Sequence, residues 1–295
     1  MNHNSPSIDV IVRTANRPLA FVVRAFASIK AQTFSPASVV VVVTGAEPEG
    51  WAAFLAGAPL GNIPLRQTVL PPAGPAGNRG QALNVGVGLC TADWISFLDD
   101  DDTWHPGFLR LAAEALKEGR GCPQFGGVVA RTEEVHERLV GGAWVEKGRR
   151  PFNPDLVVVD LAALAVRNRF TINALVVSSG VFKVVGGYRE DLSVLEDWEF
   201  NVRAASRFQF EVIPQVLVRY HLRKSAGGIA NTALSEHVRV ATRIKNEWIR
   251  ADMAAGRLGP GQLALAGEAR GLGGWLGALV RLRSKLRRVF RAGQG

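Results

Sequence analysis

Trp94-Ile95-Ser96-Phe97-Leu98-Asp99-Asp100-Asp101-Asp102-Thr103-Trp104 is an apolar run that ends in four consecutive aspartates. The part from Trp94 to Leu98 has the length and the flanking polar signals of a buried strand. In open α/β sheets ligands sit outside the carboxyl ends of the strands. Four adjacent carboxylates repel one another, so a strand that delivers them to one sheet edge invites a divalent cation. Oxygen-rich, sulfur-free ligation suits Mg²⁺ or Mn²⁺, ions that keep several waters and bridge carboxylates to substrate phosphates. The bland alternative is a solvated acidic turn capping a helix that Pro106 begins, with Asp102 or Thr103 near its N-terminus.

Outward from this strand, short β-branched runs alternate with helical patterns, the signature of βαβ units and a mainly parallel sheet. Asp9 to Arg13, Val39 to Thr44, Gln67 to Leu70 and Gly127 to Ala130 are the other expected strands of the first half. Leu19, Val22, Phe26 and Ile29 recur at helical spacing after Pro18, a suitable entry residue. Further helices are expected from about Asn78 to Gly88, from Pro106 to about Glu118 and around Glu196 to Ala205, with a strand at Phe210 to Ile213. Beyond Pro151 the pattern is less regular, and the apolar run Leu161 to Val166 is strand-sized. Leu234, Val238, Ala241, Ile244 and Trp248 mark another amphipathic helix, ended by Gly259-Pro260. This organisation reads as an α/β domain over residues 1–228 and a helical extension over 229–295.

With 47% hydrophobic and 21% charged residues in 295, the chain has the apolar content for a sizeable core and is not a disordered polymer. Cys90 and Cys122 offer no disulfide framework or metal-ligand spacing and suit a reducing compartment. The start, Met1-Asn2-His3-Asn4-Ser5-Pro6, has no basic or apolar segment of a secretory signal, so a cytoplasmic location is expected. No apolar stretch reaches the length of a membrane span. The net charge of +9 raises the question of nucleic acid, but seven of the basic residues follow Glu268, the last acidic one. Most of the excess therefore belongs to a tail, and no nucleic-acid partner is expected.

Several segments, in order, resemble the inverting family 2 glycosyltransferases of the GT-A fold. Asp9-Val10-Ile11-Val12 followed by Asn16-Arg17 looks like that family's first strand and nucleotide loop, and Ala25 to Ile29 with Gln32-Thr33 like its first helix and exit. Asn78-Arg79-Gly80, then Ala82, Asn84 and Gly86, resembles the helix leading to the aspartate motif, which Phe97 to Trp104 matches. Gly186-Gly187-Tyr188 followed by Glu196-Asp197-Trp198 resembles the acceptor-side segment. Arg13 and Ala15 stand where the family carries a proline and an aromatic residue.

The resemblance implies an α/β, Rossmann-like GT-A sandwich that moves a sugar from a nucleoside-diphosphate sugar to a glycan or lipid-linked acceptor, in cell-surface polysaccharide assembly. It implies that Thr14, Asn16, Arg17, Arg79, Asn84, Asp99, Asp100 and Arg223 contact the donor. Asp101 and His221 are the expected ligands of Mn²⁺ or Mg²⁺, Asp197 the base, and Glu196 its orienting neighbour. One base opposite the leaving group implies inversion. Arg219 to Ser225 are expected to form a cationic loop over the diphosphate. A GT-A protein that binds a nucleotide sugar without turning it over is one alternative. Another is a haloacid-dehalogenase-like phosphatase, whose nucleophile motif also fits Asp99-x-Asp101-x-Thr103. On a helical wheel Trp275, Leu276, Leu279, Leu282, Leu286, Val289 and Phe290 gather opposite Arg281, Lys285, Arg287, Arg288 and Arg291. That composition predicts a helix on an anionic membrane surface, with peripheral attachment to the inner face of the cell membrane.

Overall fold

A computed structural model describes residues 5–15, 17–57, 59–72, 79–119, 121–223 and 234–269. The expectations for Asn16, Lys224, Ser225 and the basic tail lie outside them. The first half builds four strands, β1 (Ile8–Ala15), β2 (Ser38–Thr44), β3 (Leu65–Leu70) and β4 (Trp94–Asp99). They run parallel in the order β3-β2-β1-β4. Val39 to Val43 are wholly buried, as both faces of such a sheet are covered by helices. The helices of this half are α1 (Leu19–Lys30), α2 (Trp51–Ala56), α3 (Arg79–Leu89), which packs on β1 and β2, and α4 (Phe108–Gly119), which packs on later strands of the sheet. Helix α1 starts after Pro18 and buries Phe21, Val22, Ala25, Phe26 and Ile29, one continuous stripe. Because β1 pairs with β2 on one side and β4 on the other, the chain reverses its winding there, and a crevice opens at the two carboxyl ends.

The second half departs from the expected mainly parallel sheet. A two-residue strand, β5 (Thr103–Trp104), follows the aspartates directly. Then come β6 (Phe125–Val140), β7 (Ala143–Pro151), α5 (Leu161–Val166), a 3₁₀ turn at Ile172–Ala174, β8 (Leu175–Ser178), α6 (Ser179–Val185), α7 (Glu196–Ala205) and β9 (Gln209–Arg223). The sheet continues β4-β8-β6-β9-β5, with β7 added to β6. Strand β8 is antiparallel to both neighbours, β9 is parallel to β6, and β5 and β7 are antiparallel to their partners. Gly127 sits where β6 meets β8 with φ of +147°, and a Cβ there would lie 2.0 Å from the Val176 carbonyl oxygen. No other residue type fits.

The strand expected at Gly127 to Ala130 is therefore the core of a much longer one, and the irregular region holds a hairpin. Leu161 to Val166 is a helix, because the Asp160 carboxylate accepts from the Ala163 amide at 2.9 Å and caps it. Arg219 to Arg223 belong to β9 and form no loop. Helix α8 (Leu234–Ala255) buries Val240 and Ile244 and sets Trp248 edge-on to Trp198, with ring centroids 5.2 Å apart. Leu234 and Val238, expected on its inner face, are exposed. The helix ends at Ala255 with Gly256 at φ of +60°, and Pro260 begins a further helical stretch.

Candidate active site

Strand β4 carries Asp99 to the mouth of the crevice, and the turn that follows splays the four aspartates toward partners on different elements. Arg13, at the end of β1, grips Asp99 through Nε at 2.5 Å and Nη2 at 3.1 Å. Its Nη1 donates to Glu196 at 2.7 Å. Thr14 donates its hydroxyl to Asp100 at 2.5 Å. Asp101 pairs with Arg223 at the end of β9, and Arg17 stands 3.5 Å away. Asp102 accepts from the Asn173 carboxamide at 2.6 Å and from the His221 amide at 2.8 Å. Mutual repulsion is thus relieved by cations and donors gathered from distant parts of the chain.

The environment divides these carboxylates chemically. Burial works against the charge of Asp99, but Arg13, with Arg79 and Arg17 beyond it, more than offsets that and lowers its pKa. Burial and the adjacent Asp101 push Asp100 up to about 7. Burial, then Asp101 and Asp99, hold Asp102 well above the usual range.

Across the crevice, Leu195 adopts a left-handed conformation at φ of 65°, the one such non-glycine residue among those described, and α7 starts immediately after it. Backbone of this kind costs on the order of 1–2 kcal/mol and concentrates at working sites. Asp197 lies in the first turn, accepting from the Trp198 amide at 2.7 Å and from Asn168 at 2.9 Å. Burial and the neighbouring Glu196 raise it to about 6, against the pull of those hydrogen bonds and Arg13.

Two cavities meet at Arg13, Arg79 and Asp99. One, of about 100 Å³, is lined by Thr14, Arg17, Thr44 and Asp99 to Asp101. The other, of about 240 Å³, reaches Asp102, Asn168, Asn173, Glu196, Asp197 and His237 of α8. The structure thus brings Thr14, Arg17, Arg79, Asp99, Asp100, Asp101, Glu196 and Asp197 to one place.

Two expected site residues are turned elsewhere. Asn84 donates to the Tyr188 carbonyl at 2.9 Å and to Glu190 at 2.8 Å, and accepts from the Tyr188 amide at 2.7 Å. It locks α3 to the segment before α7. His221 Nδ1 lies 2.9 Å from Glu137 and Nε2 lies 3.0 Å from the Thr103 hydroxyl. A carboxylate only accepts, so Nδ1 carries the proton and Nε2 accepts from Thr103. Burial lowers the pKa of His221, which keeps that neutral tautomer. The ring thereby links Glu137 to Thr103 beside the aspartates. Arg223, expected to contact the donor, pairs with Asp101 from a slot between Phe21, 4.6 Å from the ring centre, and Trp144, 5.9 Å away.

Arg13, Glu137, Asn168, Asn173 and His237 are site residues that the sequence reading did not supply. Arg13 carried one signal, a charge at the end of an otherwise apolar strand. Among the described residues no group of three or more His, Cys, Asp or Glu side chains converges as a metal cage. Asp99, which a phosphatase would need as nucleophile, has both oxygens held by Arg13.

Comparison with known proteins agrees with this arrangement. Over 162 residues the chain is 27% identical to the PGL/p-HBAD biosynthesis glycosyltransferase of Mycobacterium bovis (strain BCG / Pasteur 1173P2), covering 52% of this chain and 54% of that protein. The Mycobacterium tuberculosis (strain ATCC 25618 / H37Rv) protein Rv2957 matches equally. The chain spans about half the length of these curated relatives. The crystal structure of S. aureus TarS 1-349 in complex with UDP-GlcNAc superposes with a TM-score of 0.57 at 17% identity, over 82% of this chain and 66% of that one. The UDP complex gives 0.53, also at 17% identity, over 82% and 65%. At such identities these structures speak for the fold alone, an α/β GT-A arrangement with a helical C-terminal part. The model of glycosyl transferase family 2 matches residues 9–164, more than half of the sequence, and the chain belongs to that family.

Proposed function

We propose that this chain is an inverting glycosyltransferase that uses a nucleoside-diphosphate sugar, with residues 1–228 as the catalytic unit and 229–295 as its extension. The observation that carries this reading is Asp197, a carboxylate raised to about 6 that shares one cavity with Arg79 and Asp99 at the strand ends. Such a group is ionised at neutral pH yet basic enough to accept a proton, as general base catalysis requires. The acceptor hydroxyl gives its proton to Asp197 while its oxygen forms a bond to the anomeric carbon. The bond from that carbon to the diphosphate oxygen breaks on the opposite face, so the configuration inverts. Arg17 and Arg79 face the negative charge of the departing diphosphate.

A divalent cation fits the donor set. The carboxylates are hard oxygen ligands, and Asp100 and Asp101 stand adjacent, so that Asp100 is pushed up by burial first and by its neighbour second. Asp101 would hold Mg²⁺ or Mn²⁺, with Asp99 and Asp100 ordering its waters, since such ions need only one or two carboxylates besides substrate phosphate. Bound there, the ion supplies Lewis-acid stabilisation of the leaving diphosphate.

The acceptor is proposed to be a glycan or a lipid-linked glycan on a membrane surface. Two mycobacterial relatives are named as PGL/p-HBAD biosynthesis glycosyltransferases, which supports a role in glycoconjugate assembly. The described residues contain no helix long and apolar enough to cross a membrane. A panel of UDP-, GDP- and dTDP-sugars with Mn²⁺ tests the function. At least one donor should raise the melting temperature and release its nucleoside diphosphate when an acceptor is supplied. Binding without release would favour a non-catalytic nucleotide-sugar binder, and no binding by any donor would overturn both.

A further inference from the structure

The cavity beside Asp197 contains two carboxamides to which the reaction just described gives no task. Asn173 is 1% exposed, its amide donating to Asp102 at 2.6 Å. Asn168 donates to Asp197 at 2.9 Å. An ionised carboxylate only accepts, so the contact with Asp197 fixes the orientation of the Asn168 amide and leaves its oxygen over. In both side chains the buried Oδ1 has no hydrogen-bond partner among the described residues. Buried acceptors without a donor are rare, and each one calls for an explanation.

The rest of the lining sharpens the chemistry. Its polar lining is mixed: Arg13 and Arg79 stand with Asp99 where the two cavities meet, and Asn168, Asn173 and Asp197 line the part beyond. At the Asp197 end of the cavity, away from Arg79, a neutral group rich in hydroxyl donors suits the carboxylate and the two carboxamides. The cavity spans the distance from Arg79 and Asp99 to Asp197, which is where the ring between leaving phosphate and base must sit.

We propose that Asn168 and Asn173 select the transferred sugar, each accepting a hydrogen bond from a ring hydroxyl of a neutral hexose. This rests on the glycosyltransferase reading and adds to it the class of sugar and the residues that discriminate it. A site built to accept from a hydroxyl rejects the analogue lacking it, because its own polar atom is then left buried and unpaired.

The experiment is a cycle between side chain and substrate. With the donor that the wild type turns over best, nucleoside-diphosphate release is measured for the parent sugar and for its singly deoxygenated analogues. Wild type should lose at least about tenfold in kcat/KM with one or more deoxy donors. Asn173→Leu and Asn168→Leu should each erase the penalty for one deoxygenated position. Asn173→Ser and Asn168→Ser, smaller and still polar, serve where the leucine variants do not fold, and melting curves show which do. A penalty that persists unchanged in the folded variants overturns the assignment while the glycosyltransferase reading stands. If the wild type turns over no nucleotide sugar at all, that reading falls and takes this inference with it.

Discussion

Replacing Asp197 by Asn removes a proton acceptor while leaving the local hydrogen bonds satisfiable. The carboxamide oxygen still accepts from the Trp198 amide, now 2.7 Å from the carboxylate. Asn168, facing an amide in place of a carboxylate, can turn its own unpartnered oxygen toward it. Transfer should fall by roughly two to four orders of magnitude, the range for loss of a general base. The wild-type rate should itself depend on this group. With Asp197 near 6, about nine-tenths of it is ionised at pH 7 and about one-tenth at pH 5, so activity climbs through pH 6. Stability moves the other way. The folded chain keeps this proton up to about 6, whereas an unfolded chain releases it near 4. Between those values the native state binds more protons, so stability falls as pH rises through the window, by roughly 3 kcal/mol in all. Asp197→Asn escapes that loss and should melt about 5 °C higher than wild type at pH 8, with little difference near pH 4. Diphosphate-release kinetics and calorimetry across pH 4–8 measure both effects. A variant that transfers at the wild-type rate, or that melts lower at pH 8, would show Asp197 to be a helix-start residue whose charge stabilises α7, and the base would have to lie elsewhere.

Other perturbations probe separate parts of the crevice. Asp101→Asn, or EDTA on the wild type, should abolish transfer with the circular dichroism spectrum unchanged; full activity in chelator would remove the metal from the reaction. Gly80→Ala places a Cβ 2.3 Å from the Arg189 carbonyl oxygen, backbone that cannot move aside cheaply. It should cost about 1–3 kcal/mol in urea unfolding, and an unchanged midpoint would mean that α3 and the segment before α7 are not held in contact. Truncation at Gly271 deletes most of the excess positive charge. The full chain should co-sediment with anionic vesicles at low salt and the truncated chain should not; equal recovery of both in the supernatant refutes a membrane-binding tail.

The parallel half of the fold was legible because its strands are unbroken apolar runs such as Val39 to Val43, buried on both faces. The long β6 was not, because Glu133, Glu134 and Glu137 interrupt its apolar pattern and their arginine partners lie on other elements. The helix at Leu161 to Val166 could have been found, since Asp160 is an ordinary capping residue ahead of an apolar run. The aspartate and Glu196-Asp197 motifs were readable as local clusters. The clamp between them was not: Arg13 lies 86 residues from Asp99 and 183 from Glu196. Sequence spacing carries no information about such a pairing until the sheet order is known.

The same limit hides the neighbours of His221 from the sequence, and those neighbours show what the hairpin contributes. The register of β6 against β7 shifts between His136 and Glu137, a bulge, and such bulges re-aim a side chain. Glu137 is consequently buried, while Leu139 two residues on is 52% exposed. Inside, Glu137 takes hydrogen bonds from Arg24, His221 and Arg223, and against its burial those from His221 and Arg24 hold it down to about 2. Arg223 reaches from that carboxylate to Asp101, and His221 reaches from it to Thr103 beside the aspartates. One glutamate thus fastens β6, α1 and β9 to the turn that bears the metal-binding candidate. An exposed, charge-rich hairpin that looks like surface decoration in the sequence is, through this single inward side chain, part of what fixes the geometry of the candidate site.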